Sequence, residues 1–502
     1  MKPRSSALIS RILPWIVLIH VLAFVVFWLT NGLFYASTND YLANLLHRRL
    51  NYVSLLVWVS ALLGAWSVTV LLRPTLRKSR LPGGLGAWPY NSVAVLYLLF
   101  FYGSFRLLFH EAPVQLIRIG QMWGYFRIFP DSALLLAFAL LAGWALRKYQ
   151  ARRKAAGKRA SALPVILVLA AYAGIWCLAL VFPPGSVYSG QLPEKPRLIA
   201  HRGASMLAPE NTLAAAQAAA DLHAYGLETD IHVGRDGSLF LVHDDTFDRT
   251  TDIRQVYPGR EKEPVEDFSL EEVNQLNAGR WFVEQDPFQA VRRKAVSSQQ
   301  VEADQGQGIP TLSEELAFVR QSKQVFIFDL KPPPAGHPYA SSFFDLALEQ
   351  IHQAGIDPQV WFLVDERQLP VLRRVAPQMT PAFGANYQAL PEAQELKALG
   401  YRLVNVEYGI PPGKIRAYQE AGLWVNVYTV DEPWQFSRLW LYGVASITTS
   451  NVAAMANLKD PMLSMPYPWF LGIWSVVGLL GVGGIFWTAN FELRIWRERL
   501  TV

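Results

Sequence analysis

Residues 197–232 read RLIAHRGASMLAPENTLAAAQAAADLHAYGLETDIH, and the pattern of this stretch indicates the fold class. Arg197 to His201 and Leu227 to His232 are short runs typical of buried strands. Asn211 to Tyr225, which lies between them, has the pattern of a helix. The stretch therefore predicts a strand, a helix and a second strand in succession.

The alternation of strand and helix continues to about Leu458. Further strand candidates are Leu239 to His243, Val325 to Leu330, Val360 to Val364, Pro381 to Gly384, Leu403 to Val406, Trp424 to Tyr428 and Ser446 to Thr449. Helical patterns separate most of them, at Leu312 to Gln321, Tyr339 to Ala354, Pro391 to Leu399, Lys414 to Ala421 and Pro433 to Leu441. About 260 residues of repeated strand and helix units favour a closed (β/α)8 barrel over an open sheet. The predicted fold class is an α/β TIM (β/α)8 barrel inserted between α-helical transmembrane segments.

The whole chain is too apolar for a purely soluble protein. Of its 502 residues, 52% are hydrophobic and 17% are charged, and the mean hydropathy is +0.17. Apolar runs of about 20 residues, the length that spans a bilayer, lie near 12–35, 51–72, 87–109, 162–182 and 467–488. A sixth run, Ala133 to Leu146, reaches that length if it is extended back through Phe126, Ile128 and Phe129. We therefore expect a membrane region at 1–182 with about five transmembrane helices, the barrel at 183–466, and a C-terminal transmembrane helix and cytoplasmic tail at 467–502.

The distribution of charge excludes nucleic acid as a partner and predicts the orientation in the lipid bilayer. Residues 183–466 contain 24 Lys and Arg against 35 Asp and Glu, so the barrel lacks the basic surface that nucleic acid requires. The helix ends at 1–11, 73–80, 147–159 and 494–499 carry 17 Lys and Arg, whereas the alternate ends carry only Arg48, Arg49, Arg118 and Arg127. The positive-inside rule then puts both termini in the cytoplasm and the barrel outside, in a multi-pass protein of the plasma (inner) membrane.

Three carboxylates at the ends of predicted strands indicate a metal site. Glu228 and Asp230 project from one face of the second strand, because residues two apart on a strand share a face. Asp329 and Lys331 share a face of the strand that begins at Val325. Glu228, Asp230 and Asp329 together could bind Mg²⁺ or Ca²⁺ through hard oxygen ligands. With Cys177 as its single cysteine, the chain cannot form a Cys-rich metal site.

Basic and imidazole side chains accompany these carboxylates. His201 and Arg202 end the first predicted strand, and His243 ends the third. Two histidines supply an acid and a base with pKa values near neutrality. Arg202 supplies a planar guanidinium that matches a phosphate. Ionisable groups on successive strand ends favour a functional site, because a barrel interior is normally filled by branched aliphatic residues.

The sequence resembles the glycerophosphodiester phosphodiesterase family. The shared motifs are H-R-G at 201–203, P-E-N-T at 209–212, E-T-D at 228–230, D-G at 236–237, H-D at 243–244, I-P-T-L at 309–312 and F-D-L-K at 328–331. The resemblance implies a metal-dependent TIM-barrel hydrolase with these roles: His201 and His243 as the acid/base pair, Arg202 for the phosphate, Glu228 and Asp230 as metal ligands, and Glu210 to orient Arg202 or the histidines. It also implies that the stretch Asn277 to Gly308 is an insertion that can cover the site.

Three positions depart from the family pattern. Asp329 stands where the family commonly has Glu as its third metal ligand. The late W-T-V-N strand is Tyr428-Thr429-Val430-Asp431 here, and the terminal I-T-D is Thr448-Thr449-Ser450. The last two positions shape the pocket, so they bear on the choice of substrate more than on the reaction.

The predicted function is metal-dependent hydrolysis of a glycerophosphodiester to a glycerol phosphate and an alcohol. Arg202 and Lys331 are expected to stabilise the charge that grows on the phosphate. The expected substrates are phospholipid headgroups, lysophospholipids or envelope polymers, and a lipid bilayer is an expected partner. The sequence leaves open whether water or a substrate hydroxyl is the nucleophile, which histidine is the acid, and the oligomeric state. The alternative is an inactive membrane receptor or transporter that binds a phosphodiester.

Overall fold

The computed structural model describes residues 4–31, 50–77, 88–109, 113–159 and 161–499, with Tyr35, Thr38, Asn39, Leu42 and Arg48 as single positions between the first two ranges. Four basic residues that contribute to the predicted orientation lie outside the described residues: Lys2, Arg49, Lys78 and Arg80. The structure therefore describes the whole barrel and most of the membrane region.

Six helices precede the barrel in the described residues: α1 (Arg4–Thr30), α2 (Tyr52–Arg77), α3 (Trp88–Phe109), α4 (Pro113–Phe126), α5 (Ile128–Ala155) and α6 (Leu163–Val181). Together with the helix Tyr467–Arg499 that follows the barrel, they place a helix within each of the six apolar runs of the sequence. Among the described residues, four stretches are long and apolar enough to cross a membrane: Tyr52–Leu71, Ile128–Ala155, Leu163–Val181 and Tyr467–Ala489. In α1 and α3, the residues whose side chains the structure describes include the apolar stretches Leu13–Leu22 and Pro89–Phe101. These helices indicate that the chain associates with a membrane.

Helix α4 is a feature that the sequence analysis did not predict. The sequence pattern places Phe126 in the same apolar run as Ile128, but Arg127 forms a turn and Ile128 begins a new helix. With 14 residues, α4 is shorter than the roughly 20 residues that span a bilayer. Arg118 and Gln121 interrupt its apolar sequence, and both contact the barrel. It is therefore a helix that packs on the barrel.

The strands are β1 (Val187–Tyr188), β2 (Arg197–His201), β3 (Gly226–Val233), β4 (Leu239–Leu241), β5 (Val325–Leu330), β6 (Val360–Leu363), β7 (Thr380–Ala385), β8 (Leu403–Glu407), β9 (Trp424–Tyr428), β10 (Ser446–Thr449) and β11 (Met465–Pro466). Strands β2, β3 and β5 to β10 pair in parallel, and the pairing of β2 with both β3 and β10 closes them into a barrel. The (β/α)8 barrel is thereby confirmed. The short strands β1 and β11 pair with each other at the junction with the membrane helices.

One predicted barrel strand is wrong. Leu239 to His243 was expected to be the third strand of the barrel, but β4 ends at Leu241 and pairs antiparallel with the end of β3. Gly237, at a φ of 85°, makes the tight turn that reverses the chain between the two strands. His243 therefore reaches the site from a loop beyond β4 and not from the end of a barrel strand.

The α-helices that follow β2 in the chain are α7 (Leu213–Asp221), α8 (Ile253–Val256), α9 (Leu270–Val273), α10 (Arg280–Gln285), α11 (Ser298–Gln305), α12 (Leu312–Ser322), α13 (Phe343–Gln353), α14 (Leu369–Val375), α15 (Ala393–Leu399), α16 (Pro412–Glu420), α17 (Pro433–Leu441), α18 (Val452–Asn457) and α19 (Tyr467–Arg499).

Inside the barrel, an apolar cluster includes Ile199, Ile327, Ala382 and Leu403. Ile199 and Ile327 lie two residues before His201 and Asp329, so they form the layer directly beneath the polar residues of those strands.

Helix α4 adjoins the carboxyl end of the barrel strands. The Gln121 side chain of α4 donates to the Tyr408 carbonyl, just after β8 (3.0 Å). Arg118 pairs with Glu432, which lies between β9 and α17 (3.2 Å). Both contacts involve loops at the carboxyl ends of strands, which is the end of a TIM barrel that carries the active site.

Candidate active site

A cavity of about 560 Å³ opens at the carboxyl end of the barrel. Seven of the eight predicted site residues line it: His201, Arg202, Glu228, Asp230, His243, Asp329 and Lys331. The eighth, Glu210, lies beside Arg202, 2.9 Å from its guanidinium. Leu363, Val364 and Phe383 give the β6 and β7 side of the cavity an apolar surface.

The three predicted metal ligands lie together. Asp230 and Asp329 are direct neighbours in the register of β3 and β5. One carboxylate oxygen from each of Glu228, Asp230 and Asp329 lies within 4.8 Å of the others. Glu228 and Asp230 are 8% and 1% exposed, and burial, followed by repulsion from Asp230 and Asp329, raises the pKa of Glu228 well above its ordinary value. A divalent cation would relieve this repulsion, so the donor set fits Mg²⁺ or Ca²⁺.

The turn after β2 positions Arg202. Arg202 has a φ of 55° and Gly203 a φ of 79°, and a Cβ atom on Gly203 would lie 2.6 Å from the Cβ of Ala215. Only glycine fits this close approach to α7. The turn aims the Arg202 guanidinium between Asp230 (3.3 Å) and Glu210 (2.9 Å). It thereby holds a positive charge at the cavity wall, where a phosphate oxygen could replace part of the solvent.

Residues of the Pro-Glu-Asn-Thr motif stabilise the surroundings of the turn after β2. Asn211 donates through Nδ2 to the Asp230 carboxylate (2.9 Å) and accepts from the Thr229 hydroxyl (3.0 Å). The Thr212 hydroxyl accepts from the backbone N–H of Ala215 and caps α7. Asn211 was not predicted as a site residue, although its place in the motif was a signal for this role. It fixes the orientation of one predicted metal ligand.

His201 is held by the end of the last barrel strand. Its Nδ1 lies 3.0 Å from the Ser450 hydroxyl, and its Nε2 lies 3.8 Å from the Glu228 carboxylate. Asp431 accepts the backbone N–H of Ser450 (2.7 Å) and so fixes the loop that carries the hydroxyl. Burial, and then the neighbouring Arg202 charge, lowers the pKa of His201 to about 3. The imidazole is therefore neutral at physiological pH and able to accept a proton.

His243 belongs to a separate network on the other side of the cavity. Its Nδ1 lies 2.7 Å from Asp244, and Asp244 also accepts two hydrogen bonds from Arg249 (2.6 and 2.8 Å). Burial opposes ionisation of Asp244, but hydrogen bonds from His243 and Arg249 outweigh it and lower the pKa of this carboxyl. A carboxylate at Nδ1 fixes the orientation of the imidazole.

Arg249 links the His243–Asp244 pair to the Glu210–Arg202 pair, and the sequence did not predict it as a site residue. It donates to both oxygens of Glu210 (2.6 and 2.9 Å), and Glu210 in turn pairs with Arg202. Burial, the first influence on Glu210, is outweighed by these two guanidinium groups, which lower its pKa. No strand periodicity or motif marks Arg249, because it lies in the loop beyond His243.

Lys331 lies against the predicted metal ligands. Its ammonium is 2.6 Å from the Asp329 carboxylate and 3.0 Å from that of Asp230. Burial opposes the charge, but Asp230 and Asp329 raise the pKa of Lys331. The lysine therefore stays protonated and neutralises part of the carboxylate charge.

The stretch Asn277 to Gly308 forms a compact excursion next to His243. An isolated antiparallel bridge joins Asn277 to Gly308 at its base. Trp281 and Phe282 of α10 are buried within it, and the Arg249 guanidinium lies 5.8 Å from the centre of a Trp281 ring. The excursion thus contacts the network that holds His243.

A comparison with known families assigns the barrel. The model of the Glycerophosphoryl diester phosphodiesterase family matches residues 201–454, about half of the chain. The chain belongs to this family. The phosphodiesterase match begins at His201 and contains every described residue that lines the cavity.

Curated relatives cover the phosphodiesterase domain and some of its flanks. Glycerophosphodiester phosphodiesterase domain-containing protein 4 of Macaca fascicularis is 33% identical over 330 residues, which is 64% of this chain and 52% of the relative. Glycerophosphoinositol inositolphosphodiesterase GDPD2 of Mus musculus is 34% identical over 320 residues, 62% of this chain and 58% of the relative. The chain therefore spans between about half and three fifths of the length of these relatives. A solved structure titled as a putative glycerophosphoryl diester phosphodiesterase, from Silicibacter pomeroyi, has a TM-score of 0.44 at 22% identity, over 54% of this chain and 95% of that one.

Proposed function

We propose that the protein hydrolyses a glycerophosphodiester, with the help of a divalent cation, to a glycerol phosphate and an alcohol. The observation that carries this proposal is the arrangement of one cavity. Three carboxylates within 4.8 Å of one another share it with two histidines, Arg202 and Lys331. A phosphodiester needs these partners: cations for its oxygens, a proton acceptor for the nucleophile and a proton donor for the leaving oxygen.

The two histidines differ in a way that suggests their roles. His201, with its lowered pKa, is neutral and suited to accept the proton of the attacking hydroxyl. His243 is oriented at Nδ1 by Asp244, which leaves its Nε2 to donate a proton to the leaving alkoxide. We therefore infer that His201 is the base and His243 the acid in the first proton transfers.

The cations in the cavity stabilise the phosphate as its charge grows. Mg²⁺ or Ca²⁺ bound by Glu228, Asp230 and Asp329 would act as a Lewis acid on the phosphate. Arg202 contributes two parallel donors, held in place by Glu210. Lys331 contributes a point charge from the Asp329 side. Each group is fixed before the substrate binds, so little reorganisation is required.

The surroundings of the cavity favour a substrate at a membrane surface. We propose that the barrel lies outside the cytoplasm, with both termini inside, in a plasma (inner) membrane. Helix α4 belongs to the loop with Arg118 and Arg127, which the charge pattern assigns to the outer side, and it contacts the barrel. Deacylated headgroups, lysophospholipids or envelope polymers with glycerol phosphate are the substrates that such a position supports.

Turnover by the purified full-length chain in detergent tests the proposal. Glycerophosphodiesters with different alcohols would be supplied with Mg²⁺, with Ca²⁺ or with EDTA, and both products would be quantified. We expect a glycerol phosphate and a free alcohol in equal amounts, with no product in EDTA and about 10²- to 10⁴-fold slower turnover by His201→Ala. Binding of the same diesters without turnover by the parent chain would contradict the proposal and favour the receptor or transporter alternative.

A further inference from the structure

A second cavity, of about 460 Å³, lies where the barrel meets the membrane helices. Its walls include Gly120 and Gly124 of α4, Gly185 in the linker after α6, and Arg438 and Tyr442 at the end of α17. The Gly185 N–H donates to the Gly124 carbonyl (2.9 Å) and closes one side. Among the described residues, those that line this cavity are all different from those of the active site.

The lining of the second cavity is cationic. Arg438 is only 6% exposed, and its guanidinium lies 5.0 Å from the centre of the Tyr442 ring. Within the described part of the chain, no carboxylate forms an ion pair with Arg438. Arg127 lines the same cavity and pairs outside it with Asp131 (3.3 Å). The described lining contains these two arginines and no acidic residue.

This charge is costly without a counter-ion. Burial lowers the pKa of Arg438, because removing a guanidinium from water disfavours its charged form. Tyr442 opposes this shift through its side-chain hydroxyl and through a cation–π contact of its ring, but a single phenol replaces only part of the lost hydration. An anion in the cavity would supply the missing partner, and a guanidinium matches the planar pairs of oxygens on a phosphate.

Exposed aromatic residues indicate the depth of the cavity in a bilayer. Trp123, Phe129 and Phe182 are 47%, 61% and 62% exposed, and each lies within two residues of a position that lines the cavity. Trp469, in the first turn of α19, is 71% exposed. Aromatic side chains concentrate at the level of the lipid headgroups. In a bilayer, these aromatic side chains would put the cavity at the level of the lipid phosphates.

We propose that this second cavity binds the phosphate group of a phospholipid headgroup. Arg438 pairs with the phosphate, Arg127 contributes from the rim, and the acyl chains extend along the apolar surface of the adjacent helices. The bound lipid fills the space between α4, the linker and α17 and fastens the barrel to the bilayer with its catalytic end adjoining the membrane helices. This site does not depend on the proposed hydrolysis, because it uses none of the residues of that reaction.

Native mass spectrometry of the full-length chain in detergent tests the site directly. Phosphatidylglycerol would be titrated against the parent chain, and sn-glycerol 3-phosphate and inorganic phosphate would be titrated separately. The variants are Arg438→Gln, which removes the charge, and Gly124→Leu, which fills the cavity while both arginines remain. A Cβ atom on Gly124 meets nothing within 4 Å, so the longer side chain has room to enter. Arg416→Gln, an exposed position on α16, is the matched control.

We expect one phosphatidylglycerol per chain, bound at least roughly tenfold more weakly in Arg438→Gln and in Gly124→Leu and unchanged in Arg416→Gln, where tenfold corresponds to about 1.4 kcal/mol. Equal lipid binding by the parent chain and Gly124→Leu would overturn the proposal. Soluble sn-glycerol 3-phosphate that binds as tightly as the lipid, or displaces it, would overturn the lipid as the source of the phosphate. If Arg438→Gln does not fold, Arg127→Gln and Gly124→Leu decide the question.

Discussion

The Nδ1 atom of His201 lies 3.0 Å from the hydroxyl of Ser450, a residue 249 positions away in the chain. Asp431 holds Ser450 in turn, because its carboxylate accepts the Ser450 N–H (2.7 Å) and the Thr449 hydroxyl (3.1 Å). The hydroxyl therefore fixes the orientation of an imidazole whose other nitrogen faces Glu228. Ser450 is a positioning residue: it acts on the substrate only through His201.

Ser450→Ala should lower kcat while leaving KM nearly unchanged. One lost hydrogen bond of about 0.5–1.5 kcal/mol corresponds to roughly a two- to twelvefold effect. The pH dependence of kcat should also move, because the hydroxyl influences which nitrogen of His201 carries the proton. Ser450→Thr, which keeps the hydroxyl, should restore both properties. A kcat loss with an unchanged pH profile would indicate a structural effect alone.

Replacing either histidine of the cavity should reduce kcat far more. A positioned acid or base contributes about 10²- to 10⁴-fold to a rate, so His201→Ala and His243→Ala should each lose activity in that range while retaining the fold. His223→Asn is the control, because His223 is exposed and its φ of 55° is one that asparagine tolerates. Comparable losses in all three variants would refute a catalytic role for the pair.

Asp329 offers the sharpest test of the metal site. Asp329→Asn should weaken metal binding and activity strongly, because a neutral amide replaces one of three anionic groups. Asp329→Glu keeps the charge and should retain much of the activity. Metal titrations followed by activity and by calorimetry would measure both effects. Asp365→Asn is the matched control, since Asp365 lines the same cavity but lies outside the group of three carboxylates.

Exhaustive removal of divalent ions should abolish activity without unfolding the barrel. The apolar core surrounds the strands, with side chains such as Phe326, Phe328 and Val404 fully buried, and does not depend on one ion for its stability. Circular dichroism before and after EDTA, together with activity after Mg²⁺ or Ca²⁺ is restored, would measure the two properties separately. Full turnover in the absence of every divalent ion would exclude the metal from the reaction.

Much of the barrel was predictable because its strands are short apolar runs with clear ends. Trp424–Tyr428 and Ser446–Thr449 have the bounds that the sequence predicted. Leu239 to His243 misled the prediction because a short apolar run has the same pattern in a barrel strand and in a hairpin partner. Because β2 pairs with both β3 and β10, the barrel closes without β4, which pairs with β3 alone among the described strands.

The sequence predicts the site residues that belong to local motifs. It does not predict those that only the fold brings into the site. Glu228 and Asp230 follow from the two-residue repeat of one strand, and Asp329 follows from the adjacent strand. Arg249 reaches Glu210 across 39 positions, which no local pattern specifies. Helix α4 was missed for a similar reason, since its contact with Glu432 depends on the position of the barrel beside the membrane helices.

The proposed orientation can be tested with reporters inserted at two exposed positions. Gly306 lies in the barrel's excursion and Lys158 lies between α5 and α6. The cluster of basic residues at the C-terminal end of α5 predicts that Lys158 is cytoplasmic and that Gly306 is outside. A reporter that is active only after export should therefore function at Gly306 and be silent at Lys158, and a cytoplasmic reporter should give the reverse. The opposite pattern would redirect the search for substrates to diesters inside the cell.

Glu315 should make the stability of the protein depend on pH. This α12 side chain is 4% exposed, and burial raises its pKa from 4.5 to about 8. Between these values the folded chain keeps a proton that the unfolded chain has lost, so the free energy of unfolding falls as the pH rises. Glu315→Gln imitates the protonated form and should raise the melting temperature at pH 8, by a few degrees for a stabilisation of about 1–2 kcal/mol, but not at pH 4.5. The exposed Glu302→Gln is the control, and an equal gain at both pH values would contradict the assignment, because a titrating carboxyl cannot produce it.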